Sequence, residues 1–178
     1  MIILEKLINY FIKNRRLYIL MAFKRLTSEL KQITKEPNYF YSIIPRENNF
    51  LVWEFILIGP PDTIYEGGLF SGNIMFSEKY PIEPPKVKFN NIIHPNIHAS
   101  GDVCISILHE GKDLYGYEKD SERWTPSHGI DSIMMSIISM LSEPNFESPA
   151  NLDYSKLWKD NPTEYKKTIY KLVKSTQK

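Results

Sequence analysis

From Met1 to Glu36 the chain has neither Pro nor Gly, and Phe23, Leu26, Leu30 and Ile33 step by three and four, so a helix is predicted that stops near Pro37. Two apolar and aromatic runs follow, Tyr39 to Ile44 and Phe50 to Ile58, joined by Arg46-Glu47-Asn48-Asn49, and they read as the strands of a hairpin. Gly59-Pro60-Pro61-Asp62 ends the second strand and Gly67-Gly68 turns the chain. Phe70, Ile74 and Phe76 alternate along a third strand in which Gly72 is expected to mark a bulge. The prolines of Tyr80-Pro81-Ile82-Glu83-Pro84-Pro85 cannot donate to a ladder, so Val87 and Phe89 are assigned to a short fourth strand of an antiparallel meander.

Residues 90–107 show no regular period and are punctuated by Pro95 and Gly101, which predicts a long surface loop, a class of segment that often carries function. Helical spacing returns at Ile130, Ile133, Met134, Ile137, Ile138 and Leu141, the most apolar helix and therefore the core one, and it stops at Pro144. Asn161-Pro162-Thr163-Glu164 carries a helix-start signal, opening a helix with Tyr165, Ile169, Leu172 and Val173 inward. Helix, then strand meander, then helices argues an α+β fold.

The amino terminus needs its own reading. Glu5, Lys6, Lys13, Asn14, Arg15 and Arg16 interrupt the apolar stretch of Met1 to Leu20 before it reaches a spanning length, so no transmembrane segment is expected, and no small-residue cleavage site marks a secretory signal. Leu4, Leu7, Phe11 and Tyr18 recur at helical spacing. Residues 1–20 are therefore expected as an extension to a domain spanning 21–178. They read either as an added helical stretch or upstream start, or as a basic amphipathic segment that touches a membrane surface.

Composition narrows the function. The 178 residues suit one domain, and Lys+Arg 22 against Asp+Glu 21 lacks the basic excess that nucleic acid calls for. One cysteine can make neither an internal disulfide nor a Cys-rich zinc site, and it fits a reducing compartment. His98, His109 and His128 read as surface or loop hydrogen bonders, and no metal site is expected. Alone, Cys104 would read as a small buried hydrophobe.

Its surroundings change that reading. Ile93-His94-Pro95-Asn96-Ile97-His98-Ala99-Ser100-Gly101-Asp102-Val103-Cys104-Ile105 resembles the active-site signature of the ubiquitin-conjugating enzymes. Tyr80-Pro81 with Pro84-Pro85 and Val87, and Trp124-Thr125-Pro126, resemble the family's flanking segments in family order. The resemblance covers roughly Ala22 to Val173 and implies the ubiquitin-conjugating fold: an N-terminal helix, a four-stranded antiparallel meander, a core helix and C-terminal helices. It implies that Cys104 accepts ubiquitin as a thioester from an activating enzyme and passes it to a lysine. It implies also that Asn96 stabilises the oxyanion and that His94 holds the loop without acting as a base. No cofactor is expected on this chain, since ATP is consumed by the activating enzyme.

Nineteen residues separate Cys104 from Trp124, more than in many family members. Cys-Ile-Ser-Ile-Leu-His, Gly-Tyr-Glu and Glu-Arg-Trp resemble the subgroup with an acidic loop beside the active site. That subgroup builds the chains that direct proteins to the proteasome and serves degradation at the endoplasmic reticulum. Asp113, with Glu110 second, is the candidate for positioning the acceptor lysine. Here Lys112 and Lys119 stand among the acids, Ile93 replaces a usual aromatic, and His98 stands where the subgroup often has Tyr.

By the same resemblance Lys24 and Arg25 meet the activating enzyme. The first helix with two loops, mapped to the neighbourhood of Ser71 and to Thr125-Pro126-Ser127, meets a ligase, expected to be of the RING type. The expected partners are thus ubiquitin, its activating enzyme, a ligase and substrate proteins, in a cytoplasmic enzyme recruited to the endoplasmic reticulum surface. Three alternatives stand beside this one: a conjugating enzyme for a related modifier, a non-catalytic binding module of the pathway, and a cysteine hydrolase pairing Cys104 with His94 or His109.

Overall fold

The computed structural model describes residues 2–113, 116 and 118–177, with the backbone alone for 2–11. The side chains of Leu4, Leu7 and Phe11 and all of Leu114, Tyr115 and Tyr117 lie outside the described residues. Helix α1 runs unbroken over Ile2–Lys35 and ends just before Pro37, which cannot supply a helical N–H. Its carboxyl-terminal half buries Ala22 and Leu26 completely. Farther back, Arg15 ties the helix to the domain through a two-pronged ion pair with Glu78, both N···O distances being 2.7 Å.

Four antiparallel strands follow in the order β1 (Tyr41–Arg46), β2 (Asn49–Ile58), β3 (Leu69–Met75) and β4 (Lys86–Phe89). Side chains alternate across a strand, so Trp53, Phe55 and Leu57 enter the core while Glu54, Ile56 and Ile58 face out. Phe70, Ile74, Val87 and Phe89 extend the inner face. Gly72 marks no bulge, contrary to expectation: β2 and β3 pair in continuous register with Phe55 opposite Gly72. The reason for glycine is space, because a Cβ there would lie 2.4 Å from both the Lys88 carbonyl and the Phe55 ring. The irregular register sits instead between Pro45 and Arg46.

Helix α2 (Ile130–Ser142) presents Ile133, Met134, Ile137 and Leu141 to this core. Gly129 offers its first turn no side-chain cap, and the buried Glu29 of α1 supplies one across the fold, accepting from the Ile130 amide at 2.8 Å. Glu29 also accepts the Tyr80 hydroxyl at 2.7 Å and pairs with Arg25.

The carboxyl-terminal helices are α3 (Leu152–Asp160) and α4 (Pro162–Thr176). Asn161 serves both: its amide closes α3 on Leu157, and its side chain accepts from Glu164 to open α4. Sequence periodicity did not single out α3, and its only fully buried residue is Ser155.

Candidate active site

The segment after β4 is pinned to that strand. Phe89 donates to Gly101 and Val103 donates to Val87, each at 2.9 Å. Ile97 pairs with Val103 across a tight turn that Gly101 makes possible, at φ 93° and with the Phe89 carbonyl 2.2 Å from where a Cβ would be. Burial of Ile97 and Val103 fixes the turn in the core, and the Cys104 amide then donates to the Asn96 carbonyl at 3.0 Å. Cys104 emerges half-buried at the edge of this turn.

His94 and Asn96 tie the turn to the end of α2. His94 is fully buried. Its Nδ1 accepts from the Asn96 amide at 3.0 Å, which leaves the proton on Nε2, and Nε2–H donates to the Met140 carbonyl at 3.1 Å. Burial lowers its pKa to about 4, so the ring is neutral at physiological pH and both nitrogens are occupied. The Asn96 side chain reaches the segment after α2, where Oδ1 accepts from the Asn145 amide at 2.8 Å. Its Nδ2 donates to the Asn145 carbonyl at 2.8 Å and to that of Ser148 at 3.4 Å.

The sequence reading takes His109 as a loop hydrogen bonder, pairs it with Cys104 only in the hydrolase alternative, and does not single out Glu118 or Arg123 as site residues. The structure sets all three beside the thiol. Cys104 Sγ faces His109 Nε2 at 3.7 Å, and His109 Nδ1 donates to Glu118 Oε1 at 2.8 Å. A carboxylate only accepts, so a proton sits on Nδ1 and Nε2 is the ring nitrogen turned to the sulfur. Glu118 is itself held by the Ser106 hydroxyl and by Arg123. Arg123 in turn binds the carbonyls of Gly111 at 2.7 Å and Glu110 at 2.8 Å, fastening the post-cysteine segment. Burial, and secondarily the charge of Glu118, push the Cys104 thiol above its ordinary pKa.

These groups line one groove of about 670 Å³ that includes Asn96, Cys104, His109, Asp113, Glu118 and Glu143. Among the described residues that line it, the carboxylates Asp113, Glu118, Glu122 and Glu143 outnumber the one guanidinium, Arg123, which suits an incoming amine. Asp113 lies in this groove and Asp113 Oδ2 accepts from the Glu118 amide at 2.9 Å.

The partner-binding candidates divide. Lys24 and Thr125, Pro126 and Ser127 are exposed. Arg25 is part-buried and engaged within the fold: its guanidinium pairs with Glu29 and donates to the carbonyls of Pro126 at 2.7 Å and His128 at 2.6 Å. Ser71 also corrects the mapping, because it lies within β3, opposite Ile56, and in no loop. The loop that packs beside Thr125 is the proline-rich one, where the Trp124 indole donates to the Pro81 carbonyl at 2.9 Å and Ile82 stays 46% exposed.

Among the described residues no cluster of three or more His, Cys, Asp and Glu could hold a metal ion, and no helix is long and apolar enough to cross a membrane. A sequence model of the family described as "Ubiquitin-conjugating enzyme" matches residues 25–173. The protein named ubiquitin-conjugating enzyme E2 15 of Schizosaccharomyces pombe is 49% identical over 152 residues, covering 84% of this chain and 91% of that one. Ubiquitin-conjugating enzyme E2 14 of Arabidopsis thaliana is 48% identical over 155 residues, 85% and 93% of the two chains. Ubiquitin-conjugating enzyme E2 G2 of Homo sapiens is 44% identical over 158 residues, 87% and 96%.

Proposed function

The chain belongs to the ubiquitin-conjugating enzyme family, and from that premise we propose that it carries ubiquitin as a thioester on Cys104 and delivers it to lysine. The observation that supports this reading best is the half-buried Cys104 Sγ facing His109 Nε2 at 3.7 Å in an acid-lined groove.

In the loading step the Cys104 sulfur attacks the ubiquitin thioester on the activating enzyme. A new S–C bond forms, the old one breaks, and the Cys104 proton passes by way of His109 to the departing thiolate. The raised pKa keeps Cys104 a thiol until a partner arrives, so a base within reach of Sγ has a task. In the transfer step the lysine amine attacks the same carbonyl, giving an oxyanion that collapses with release of the Cys104 thiolate. The amine proton moves through His109 to the sulfur. His109 is held for this by Glu118, which fixes the orientation of the ring.

Asn96 is assigned to the oxyanion. Its 3.4 Å bond to Ser148 is the longer of its two donations, and that hydrogen is the one to turn toward the developing charge while the other holds Asn145. His94 holds the loop through Met140 and the Asn96 amide. Asp113, on the groove wall, positions the acceptor lysine. Lys24 contacts the activating enzyme, and Ile82 with Thr125, Pro126 and Ser127 forms the surface offered to a RING-type ligase. The acidic-loop resemblance assigns the product to proteasome-directed chains made at the endoplasmic reticulum surface.

The same Cys104–His109–Glu118 order would also serve a hydrolase, and this geometry keeps that second reading in view. The two are separated by offering the protein a ubiquitin ester and, in parallel, following discharge of loaded Cys104 to free lysine. Discharge that accelerates with lysine, without turnover of the ester, supports transfer; ester turnover supports hydrolysis.

A further inference from the structure

The outward side of α1 changes character along its length. Helical geometry places Lys13, Leu17, Leu20, Met21 and Lys24 within one arc of about 100°. That arc lies opposite Ala22, Leu26 and Glu29, which face the core. Farther along the same side come Thr27, Ser28 and Lys31, as a solvent-facing surface demands. Earlier on it, Leu17, Leu20 and Met21 are 54%, 51% and 42% exposed. The domain leaves them uncovered, and Arg15 locks the helix to Glu78 by a bidentate pair, so this side is held outward.

Charge indicates what covers it. No acidic residue occurs between Glu5 and Glu29, and with Arg15 paired to Glu78 and Arg25 to Glu29 the stretch still exposes Lys13, Arg16 and Lys24. All 21 acidic residues of the chain lie outside that stretch. Apolar side chains flanked by lysines whose stems can lie along hydrocarbon and whose heads stay in water match an anionic lipid surface.

We propose that the Leu17, Leu20 and Met21 face of α1, flanked by Lys13 and Lys24, docks the protein on the surface of an anionic bilayer, lying along it without crossing. Seating there supplies a direct membrane contact. It stands on α1 alone and does not depend on the chemistry of Cys104.

The test is cosedimentation of the full chain with phosphatidylcholine vesicles, with and without about a third phosphatidylserine. Binding to the anionic vesicles is expected, about tenfold weaker on neutral ones and released by salt. The paired substitution Leu17→Gln with Leu20→Gln, and separately Lys13→Glu, lower binding about tenfold. ATP-dependent loading of Cys104 in solution is followed in parallel and stays unchanged, which separates this proposal from the functional one. Absence of binding, or binding that these substitutions leave intact, overturns it. So does a Leu17- and Leu20-dependent self-association, or capture of an acidic protein, without vesicle binding, since the face is then a protein contact.

Discussion

Asn96 and Asn145 grip each other at two points, the Asn96 Oδ1 accepting the Asn145 amide and the Asn96 Nδ2 donating to the Asn145 carbonyl, both at 2.8 Å. One amide side chain therefore joins the turn that carries Cys104 to the segment leaving α2. His94 adds a third tie from the same turn to Met140. The thiol is positioned by contacts to elements distant in sequence, and the active site is as rigid as those ties.

Substituting Asn96 tests the two tasks given to it separately. Asn96→Ala loses both bonds to Asn145 and lowers stability by about 1–3 kcal/mol, read by thermal or denaturant unfolding. Loading of Cys104 persists, and single-turnover discharge to lysine slows by about 10²–10³-fold. Asn96→Asp keeps the acceptor for the Asn145 amide and removes the donor. It should recover part of the stability and none of the rate; recovery of the rate would make Asn96 a structural residue only.

His109→Gln keeps bulk and polarity at Nε2 and removes the base. Discharge to lysine is expected to fall about 10²–10³-fold with the melting temperature little changed. An unchanged discharge rate would leave the 3.7 Å contact without a catalytic role.

Glu118 raises the Cys104 pKa by its charge, after burial. Glu118→Gln removes that charge, so the thiolate fraction at neutral pH rises. Alkylation of Cys104 by iodoacetamide should accelerate roughly two- to fivefold, while discharge to lysine slows because His109 loses its carboxylate. Slower alkylation would reverse the assigned sign.

His94 gives a pH signature. Its folded pKa of about 4 lies below the ordinary histidine value of 6.5, so the unfolded chain takes up the proton first as pH falls. The stability this buried neutral ring represents is complete above the ordinary value and is lost on descending toward pH 4, up to about 3 kcal/mol. His94→Gln is less stable at pH 7 and lacks this component, so its stability is expected to fall less steeply across the window than that of the wild type. Parallel slopes would contradict the buried, neutral assignment.

Much of this fold was legible because one-sided burial writes itself into the chain. Trp53, Phe55 and Leu57 alternate, and Ile133, Ile137 and Leu141 recur at the helical period. Helix α3 was not legible, since Tyr154, Leu157 and Trp158 are only partly buried and leave a weak stripe. Gly72 looked like a bulge because a glycine in a strand reports either a bulge or a close approach, and sequence does not say which. Of the candidate site, His94, Asn96 and Cys104 are marked by their motif, and the structure sets them on one turn. His109 stood beside Cys104 only in the hydrolase alternative, because its place at the thiol depends on Glu118 and on Arg123, whose grip on Glu110 and Gly111 follows no periodic pattern. The available signal was a histidine five residues beyond the cysteine with a glutamate and an arginine in the same insert. The internal bonds of Arg25 were not legible, because a cation on a helix looks free until the carbonyls of Pro126 and His128 are brought beside it.

The central claim is that Cys104 carries ubiquitin as a thioester. The direct measurement incubates the full chain with activating enzyme, ubiquitin and ATP and resolves the products on reducing and non-reducing gels, for wild type and Cys104→Ser. The account predicts an ATP-dependent adduct that reductant removes, and that Cys104→Ser either abolishes or converts into a reductant-resistant ester. No adduct with the activating enzymes of ubiquitin or of related modifiers, or an adduct that survives loss of the Cys104 thiol unchanged, would contradict it.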